Sequence, residues 1–159
     1  MTRKSAKKED LRCRYTLLVN DWDVKINFND EIYQRLFDGS KFQERISMEL
    51  TGQLISTTSK KCKENMAAII DTKANELWYQ KDRIREDLHT IGNICIERAD
   101  SEFYQEDTIF FWVSVPTKSY ENMKDYLSYK GNASITIIGT ELSYKRGEIY
   151  SLEFGKLAG

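Results

Sequence analysis

The chain has little proline, histidine and cysteine, and each shortage excludes a class of protein. Its 159 residues include one proline, one histidine and three cysteines. A single histidine and no Cys-x-x-Cys pair give no zinc-binding pattern, and three widely spaced cysteines do not make a disulfide framework. We therefore expect no metal or other cofactor. The cysteines, Cys13, Cys62 and Cys95, should be small buried or half-buried hydrophobic side chains.

The chain also has no excess of charge of either sign and no long apolar run. Its 24 Lys and Arg residues nearly balance its 25 Asp and Glu residues, so no global field favours nucleic acid or an anionic membrane. No window approaches a membrane-spanning length, and no signal-peptide core follows the basic start MTRKSAKKED. These features predict a flexible basic leader at 1–10, a single domain at 11–159 and, for the chain as written, a cytoplasmic location.

The most informative segment that is present runs from Asp107 to Lys118. Its sequence is DTIFFWVSVPTK, eight β-forming residues followed by the only proline. Alternation predicts a central strand at 108–115, with another strand around Ile94 and Ile96 before it. A helical pattern follows Pro116, and its buried side should carry Tyr120, Met123 and Leu127.

The remaining pattern predicts both strands and helices. Strands are expected at 12–20 and 24–28, joined as a hairpin at Asn20-Asp21, and again at 134–138 and 150–154. A short helix is expected between Asn29 and Gly39, and a second after Ser40, where apolar residues recur every four positions. The third and longest should extend from Glu64 to Leu88. The predicted fold is α+β, an antiparallel or mixed sheet of about five to six strands with two to three helices packed on one face.

Two aromatic residues of the central strand are the first candidate binding site. If Ile109, Phe111 and Val113 face the helices, Phe110 and Trp112 lie on the opposite face of the sheet. Either further structure covers that face or it is an exposed apolar patch that binds a partner. A protein partner or self-association is the corresponding prediction.

Basic residues provide the second candidate. Lys60, Lys61, Lys63 and the basic leader could contact phosphates. So could the turn Tyr144-Lys145-Arg146, where an aromatic ring stands beside two cations. The near-zero net charge instead favours a solubilising surface, and nucleic-acid binding is therefore the alternative function.

An enzyme is the least favoured class. His89 lacks a partner at a spacing suited to general-base catalysis, because Asp87 lies two residues away and does not share its helix face. The acidic loop 97–107 could bind a hard cation or serve a hydrolase, but its spacing does not match an EF-hand. We assign no catalytic, cofactor-binding or metal residues.

The middle of the chain resembles a known family in its order of patterns. The segments are LTGQLISTTSKK, ELWYQKDRIREDL, IGNICIER and DTIFFWVSVPTKSYENM. In this order they resemble the LPP20-type bacterial envelope lipoproteins over about half the chain. The resemblance implies a compact α+β domain at a bacterial envelope, without enzymatic activity. The chain departs from the family in lacking a lipobox at Cys13 and in having a C-terminal hairpin.

The functional prediction is a non-enzymatic binding or assembly domain, associated with a bacterial envelope or with phage. The first alternative is a nucleic-acid-binding accessory protein that uses the basic leader and Tyr144-Lys145-Arg146. The second is a hydrolase that uses the loop 97–107.

Overall fold

The computed structural model describes residues 12–29, 43–74, 90–99, 102, 105–116, 118–128 and 133–156. Within these ranges the elements follow one another along the chain as seven strands and one helix. They are β1 (Arg12–Asn29), β2 (Gln43–Thr57), β3 (Ala67–Ala74), β4 (Gly92–Glu97), β5 (Thr108–Val115), α1 (Ser119–Ser128), β6 (Ala133–Thr140) and β7 (Arg146–Lys156).

The seven strands form one closed barrel in the order β1-β2-β3-β5-β4-β7-β6, with β6 pairing back onto β1. Strands β3 and β5 are parallel, and the other neighbours are antiparallel. The predicted α+β fold is therefore wrong. Seven strands close on themselves, where five or six had been expected to form a sheet with helices packed on one face.

The error arose in the segments that become β2 and β3. In β2 the apolar residues Ile46, Leu50 and Leu54 lie four positions apart, a spacing shared by one face of a helix and by every second inward position of a strand. Met48 completes a strict alternation with Ser47 and Glu49, which is a strand pattern. Part of the third predicted helix is likewise strand, in β3, and the segment 75–89 lies outside the described residues, as does the short helix predicted before Gly39.

Strand β1 also differs from the prediction, because it continues through the expected turn at Asn20-Asp21. Val19 pairs with Gly52 and Asp21 pairs with Thr51, so Asn20 is an extra residue in β1. Such a β-bulge shifts the alternation by one residue. Tyr15 and Leu17 are buried before it, and Trp22 and Val24 pack against the core after it.

The barrel interior holds the hydrophobic core. Ile109, Phe111 and Val113 of β5 are buried, which confirms β5 as a core strand, and β4 was predicted correctly as well. The Phe111 ring packs edge-on against Tyr15, with 5.6 Å between ring centroids. Edge-to-face contacts of this kind stabilise a core in addition to the free energy gained by burying apolar area.

Helix α1 packs at one end of the barrel, after Pro116 as predicted. Its Tyr120 and Met123 are buried in the core cluster. The Tyr120 hydroxyl lies 2.9 Å from Oγ1 of the buried Thr72, near the end of β3. Among the described residues, no helix combines the length and the apolar character needed to cross a membrane. The opposite end of the barrel has no helix among the described residues, and the candidate site lies there.

Candidate functional site

A cavity of about 810 Å³ lies at the end of the barrel opposite α1, and we call it the mouth. Three connections between strands meet there: β2 to β3, β4 to β5, and β6 to β7. The lining residues are Lys61, Lys63, Met66, Ile96, Arg98, Ala99, Asp107, Leu142, Ser143, Tyr144 and Lys145. Barrel mouths are common ligand sites because they combine a rigid wall with loops that vary freely.

The mouth has an apolar floor and a basic rim. Met66, Ile96 and Leu142 form the floor, and each packs in or against the core. The lining also includes four cationic side chains and one carboxylate, namely Lys61, Lys63, Arg98, Lys145 and Asp107. The site therefore has a local positive charge although the whole chain has almost none.

The turn between β6 and β7 places an aromatic ring at the rim. Ser143 and Arg146 exchange two backbone hydrogen bonds, of 2.8 and 3.1 Å, around the two central residues Tyr144 and Lys145. Both central residues have positive φ, 55° and 66°, as a type I′ turn requires. Such turns prefer Asn-Gly, and a non-glycine residue in this region costs on the order of 1 kcal/mol or more.

The strained turn exposes a large aromatic side chain almost completely. Tyr144 is 98% exposed, the highest value among the large hydrophobic side chains that the structure describes. Backbone strain of this kind persists only where the surrounding structure maintains it, and it is most common at functional sites. The strain therefore makes Tyr144 a candidate functional residue. Lys145 has its backbone fixed as well, since its carbonyl accepts a 3.0 Å hydrogen bond from the N–H of Ile96.

Glu141 joins two of the three connections that form the mouth. Its carboxylate accepts hydrogen bonds from the Ser59 hydroxyl, from the N–H of Lys60 at 2.9 Å and from the N–H of Leu142 at 2.9 Å. Ser59 and Lys60 lead directly to Lys61 and Lys63, and Leu142 leads to Tyr144. This Glu141 bridge therefore fixes the position of the basic loop relative to the aromatic turn.

The pKa of Glu141 reflects this arrangement. Partial burial by itself raises the pKa, but the hydrogen bonds from Ser59, Lys60 and Leu142 and the charge of Lys61 outweigh burial and lower the pKa below its ordinary value of 4.5. A carboxyl with a lowered folded-state pKa contributes stability above its unfolded-state pKa. That contribution is lost as the pH falls through the folded-state value.

Glu141→Gln should lower the free energy of unfolding at neutral pH by about 1–3 kcal/mol, because charge-assisted hydrogen bonds are replaced by weaker neutral ones. As the pH falls below 4.5 and through the lower folded-state pKa, the wild-type loses this contribution and the variant has none to lose, so the two should converge. Urea unfolding from pH 7 to pH 3 measures the difference. A gap that stays constant over this range would contradict a role for the Glu141 charge.

The three thiols are poorly suited to chemistry. All three are free; Cys13 is buried and Cys62 and Cys95 are half-buried, as predicted. Burial is the main cause that raises the pKa of each thiol, and Glu141 adds to it at Cys13 and Glu97 at Cys95. A raised thiol pKa keeps the group protonated at neutral pH, the form that is a weak nucleophile and a weak metal ligand.

The sequence-predicted aromatic pair lies elsewhere, on the outside of the barrel. Phe110 and Trp112 stack with ring centroids 5.5 Å apart and planes 11° apart. Phe110 is only 8% exposed, however, and Trp112 is 37% exposed. The expected opposite-face placement is therefore correct, but only Trp112 presents substantial surface.

Of the predicted turn residues, the structure brings Tyr144 and Lys145 to the mouth, together with the predicted Lys61 and Lys63. Arg146 begins β7 opposite Cys95 and is not among the residues lining the cavity. The floor residues and Glu141 were not predicted. Their hydrophobic or acidic character is ordinary, and no local signal distinguishes them.

The remaining candidates are His89, the basic leader and the acidic loop 97–107. His89 and residues 1–10 lie outside the described residues. In the loop 97–107, the Asp107 carboxylate accepts a 2.8 Å hydrogen bond from the N–H of Ala99, which is a structural role. Within the described ranges, no three His, Cys, Asp or Glu side chains come together in a way that could hold a metal ion.

Comparison with known proteins provides no relative: no family model, curated protein or solved structure matches the chain. The resemblance to LPP20-type envelope lipoproteins therefore stays a prediction.

Proposed function

We propose that the protein is a non-enzymatic binding domain whose mouth binds single-stranded nucleic acid. The carrying observation is the strained turn that holds Tyr144 almost fully exposed beside four cationic side chains. An exposed aromatic ring next to a basic groove is the arrangement with which proteins bind single strands, because bases stack on the ring while cations contact phosphates.

The charge of the mouth favours a polyanion over a neutral ligand. The lining has four cations and one carboxylate, and the Glu141 carboxylate lies beside Lys61, so cations still outnumber carboxylates around the cavity. Lys61 and Lys63 on one side and Lys145 on the other could contact successive phosphates. The apolar floor offers a surface for a base or sugar to leave water.

The exposed ring favours single strands over a duplex. Bases in a duplex are already stacked on one another, so they are not free to stack on Tyr144.

Fluorescence anisotropy with a labelled oligothymidine tests the proposal. We expect affinity to fall with added salt with a slope of about −3 in log K against log salt, since four cations would neutralise up to four phosphates at roughly −0.7 each. A duplex of the same length should bind at least about 10-fold more weakly. Absence of binding at low salt would exclude the proposed function.

A matched set of variants assigns the binding to the mouth. Lys61→Gln, Lys63→Gln and Arg98→Gln together should make the salt slope shallower by about 2. The control removes three exposed lysines at the other end of the barrel, Lys73, Lys118 and Lys124, and so changes the net charge by the same amount. Equal loss in both sets would indicate a general charge effect and would contradict a defined site.

The outer aromatic pair supports a second candidate, a contact with a protein partner. Trp112 is 37% exposed on a strand and stacks on the buried Phe110, and exposed tryptophans are enriched at protein interfaces. Trp112→Ser tests this contact. Loss of a protein contact in a folded Trp112→Ser variant would support it.

A further inference from the structure

Strand β1 continues beyond its pairing with β6, and we call residues 21–29 of β1 together with their partners in β2 the ribbon. Pairing of β1 with β6 ends at Val19, and pairing of β2 with β3 ends at Ser47. From Asp21 to Asn29, β1 pairs with β2 alone among the described strands. Its second edge is therefore a strand edge in the described structure, and such edges are templates for pairing with another chain.

The outer face of this region has three carboxylates in line. Asp23 pairs with Glu49, and Glu49 pairs with Asp71, so one acidic side chain from each of β1, β2 and β3 stands in the same row. Directly opposite side chains on neighbouring strands lie about 5 Å apart, and like charges there are destabilising. This acidic row ends at the β1 edge, at Asp23.

The inner face of the ribbon ends on an exposed apolar residue. Trp22 and Val24 pack against the core, but Ile26, on the same face, is 48% exposed. The ribbon edge thus has an alternating sequence, with Asp21, Asp23 and Lys25 on one face and Trp22, Val24 and Ile26 on the other.

We propose that this edge pairs with the same edge of a second copy of the chain, antiparallel about a two-fold axis at Val24. Asp23 then lies opposite Lys25 of the second copy, twice in the dimer, and Trp22 lies opposite Ile26. Lys25 thereby places a cation at the end of the acidic row, and Ile26 gains an apolar neighbour. Isologous pairing of this kind is closed and stops at two copies.

The charges specify this register. Moving the axis to Asp23 would place two Asp23 side chains opposite one another, and moving it to Lys25 would do the same to two lysines. Shifting the pairing by one residue would place the apolar face of one strand beside the charged face of the other. The proposal is independent of the nucleic-acid site, because the ribbon lies toward the α1 end of the barrel and the mouth lies at the other.

Sedimentation velocity over a range of concentrations tests the pairing by charge reversal. Asp23→Lys and Lys25→Asp should each weaken the dimer by about 10-fold or more, since each places like charges opposite one another twice. The double variant restores opposite charges and should restore dimerisation to within about threefold of wild-type. All four proteins should have the same circular dichroism at low concentration, because both side chains are exposed. Asp23→Lys should not lower the thermal stability of the monomer, since it replaces a like charge opposite Glu49 by an opposite one.

Three outcomes would overturn the proposal. The first is a wild-type protein that stays monomeric at concentrations on the order of 100 μM, which corresponds to a binding free energy weaker than about 5.5 kcal/mol. The second is a double variant as weak as the single ones. The third is a dimer that persists in both single variants and is lost in Trp112→Ser, which would place the contact at the outer aromatic pair.

Discussion

Replacing Tyr144 and Lys145 by Asn and Gly should weaken binding of single-stranded nucleic acid by about 100-fold and, at the same time, stabilise the fold. Loss of one stacking ring accounts for about 1–3 kcal/mol and loss of one phosphate contact for the remainder. Asn-Gly adopts the type I′ turn without the strain that positive φ imposes on Tyr and Lys, so the free energy of unfolding should rise by about 1 kcal/mol. Anisotropy titration and urea unfolding measure the two effects.

The opposite signs of these effects make the prediction specific. Tyr144→Phe is the matched control: it keeps the ring and the strained backbone, and both quantities should stay within about 0.5 kcal/mol of wild-type. If the Asn-Gly variant binds as tightly as wild-type, the turn is an irregular hairpin with no role in the proposed function. If it is less stable than wild-type, the strain argument is wrong.

The elements that could be predicted are those whose pattern fits one periodicity only. Strand β5 has apolar residues on both of its faces and is followed directly by Pro116, so its pattern does not fit a helix. Strand β2 shows the converse. The four-residue spacing of its apolar residues fits both a helix and a strand. Met48, between Ile46 and Leu50, distinguishes the two, because it fits only the alternation of a strand. Once β2 and β3 are strands, the sheet has enough strands to close.

The closure of the sheet into a barrel could not be predicted from the sequence. It depends on pairing between β1 and β6, which are more than a hundred residues apart, and on the parallel pairing of β3 with β5. The β-bulge at Asn20 could not be predicted either. A bulge shifts the alternation of apolar and polar residues by one position, and in the sequence this shift cannot be distinguished from a turn between two strands. Long-range pairing decides between the two.

The site was predictable only in its most exposed part. An aromatic residue beside two cations indicated the turn at Tyr144, and the lysine-rich segment at Lys61 and Lys63 indicated a second basic region. Their proximity follows from the Glu141 bridge, which joins residues about eighty positions apart through Ser59.

The proposed nucleic-acid site and the proposed dimer have a joint consequence. Two mouths on one dimer would bind one long single strand together, so the affinity for long oligonucleotides should exceed that for short ones.

Phe111→Ala should be the most destabilising single change in β5, lowering the free energy of unfolding by about 3–5 kcal/mol. Phe111 is fully buried, pairs with Ile70 on one side and Ile94 on the other, and packs edge-on against Tyr15. Removing its ring would leave a cavity at the centre of the barrel that the surrounding strands cannot close, since each is held by pairing on both sides. Urea unfolding followed by far-UV circular dichroism measures the loss.

The neighbouring residue provides the control. Trp112→Ala removes a larger side chain from the same strand, but from its outer face, where the ring is partly in water, so the loss should be about 1 kcal/mol. If Phe111→Ala does not fold, Phe111→Leu keeps most of the volume and should cost about 1.5 kcal/mol or less. Equal losses at Phe111 and Trp112 would contradict the two-faced character of β5, because the ranking depends on which face of the strand points into the barrel and not on the size of the side chain.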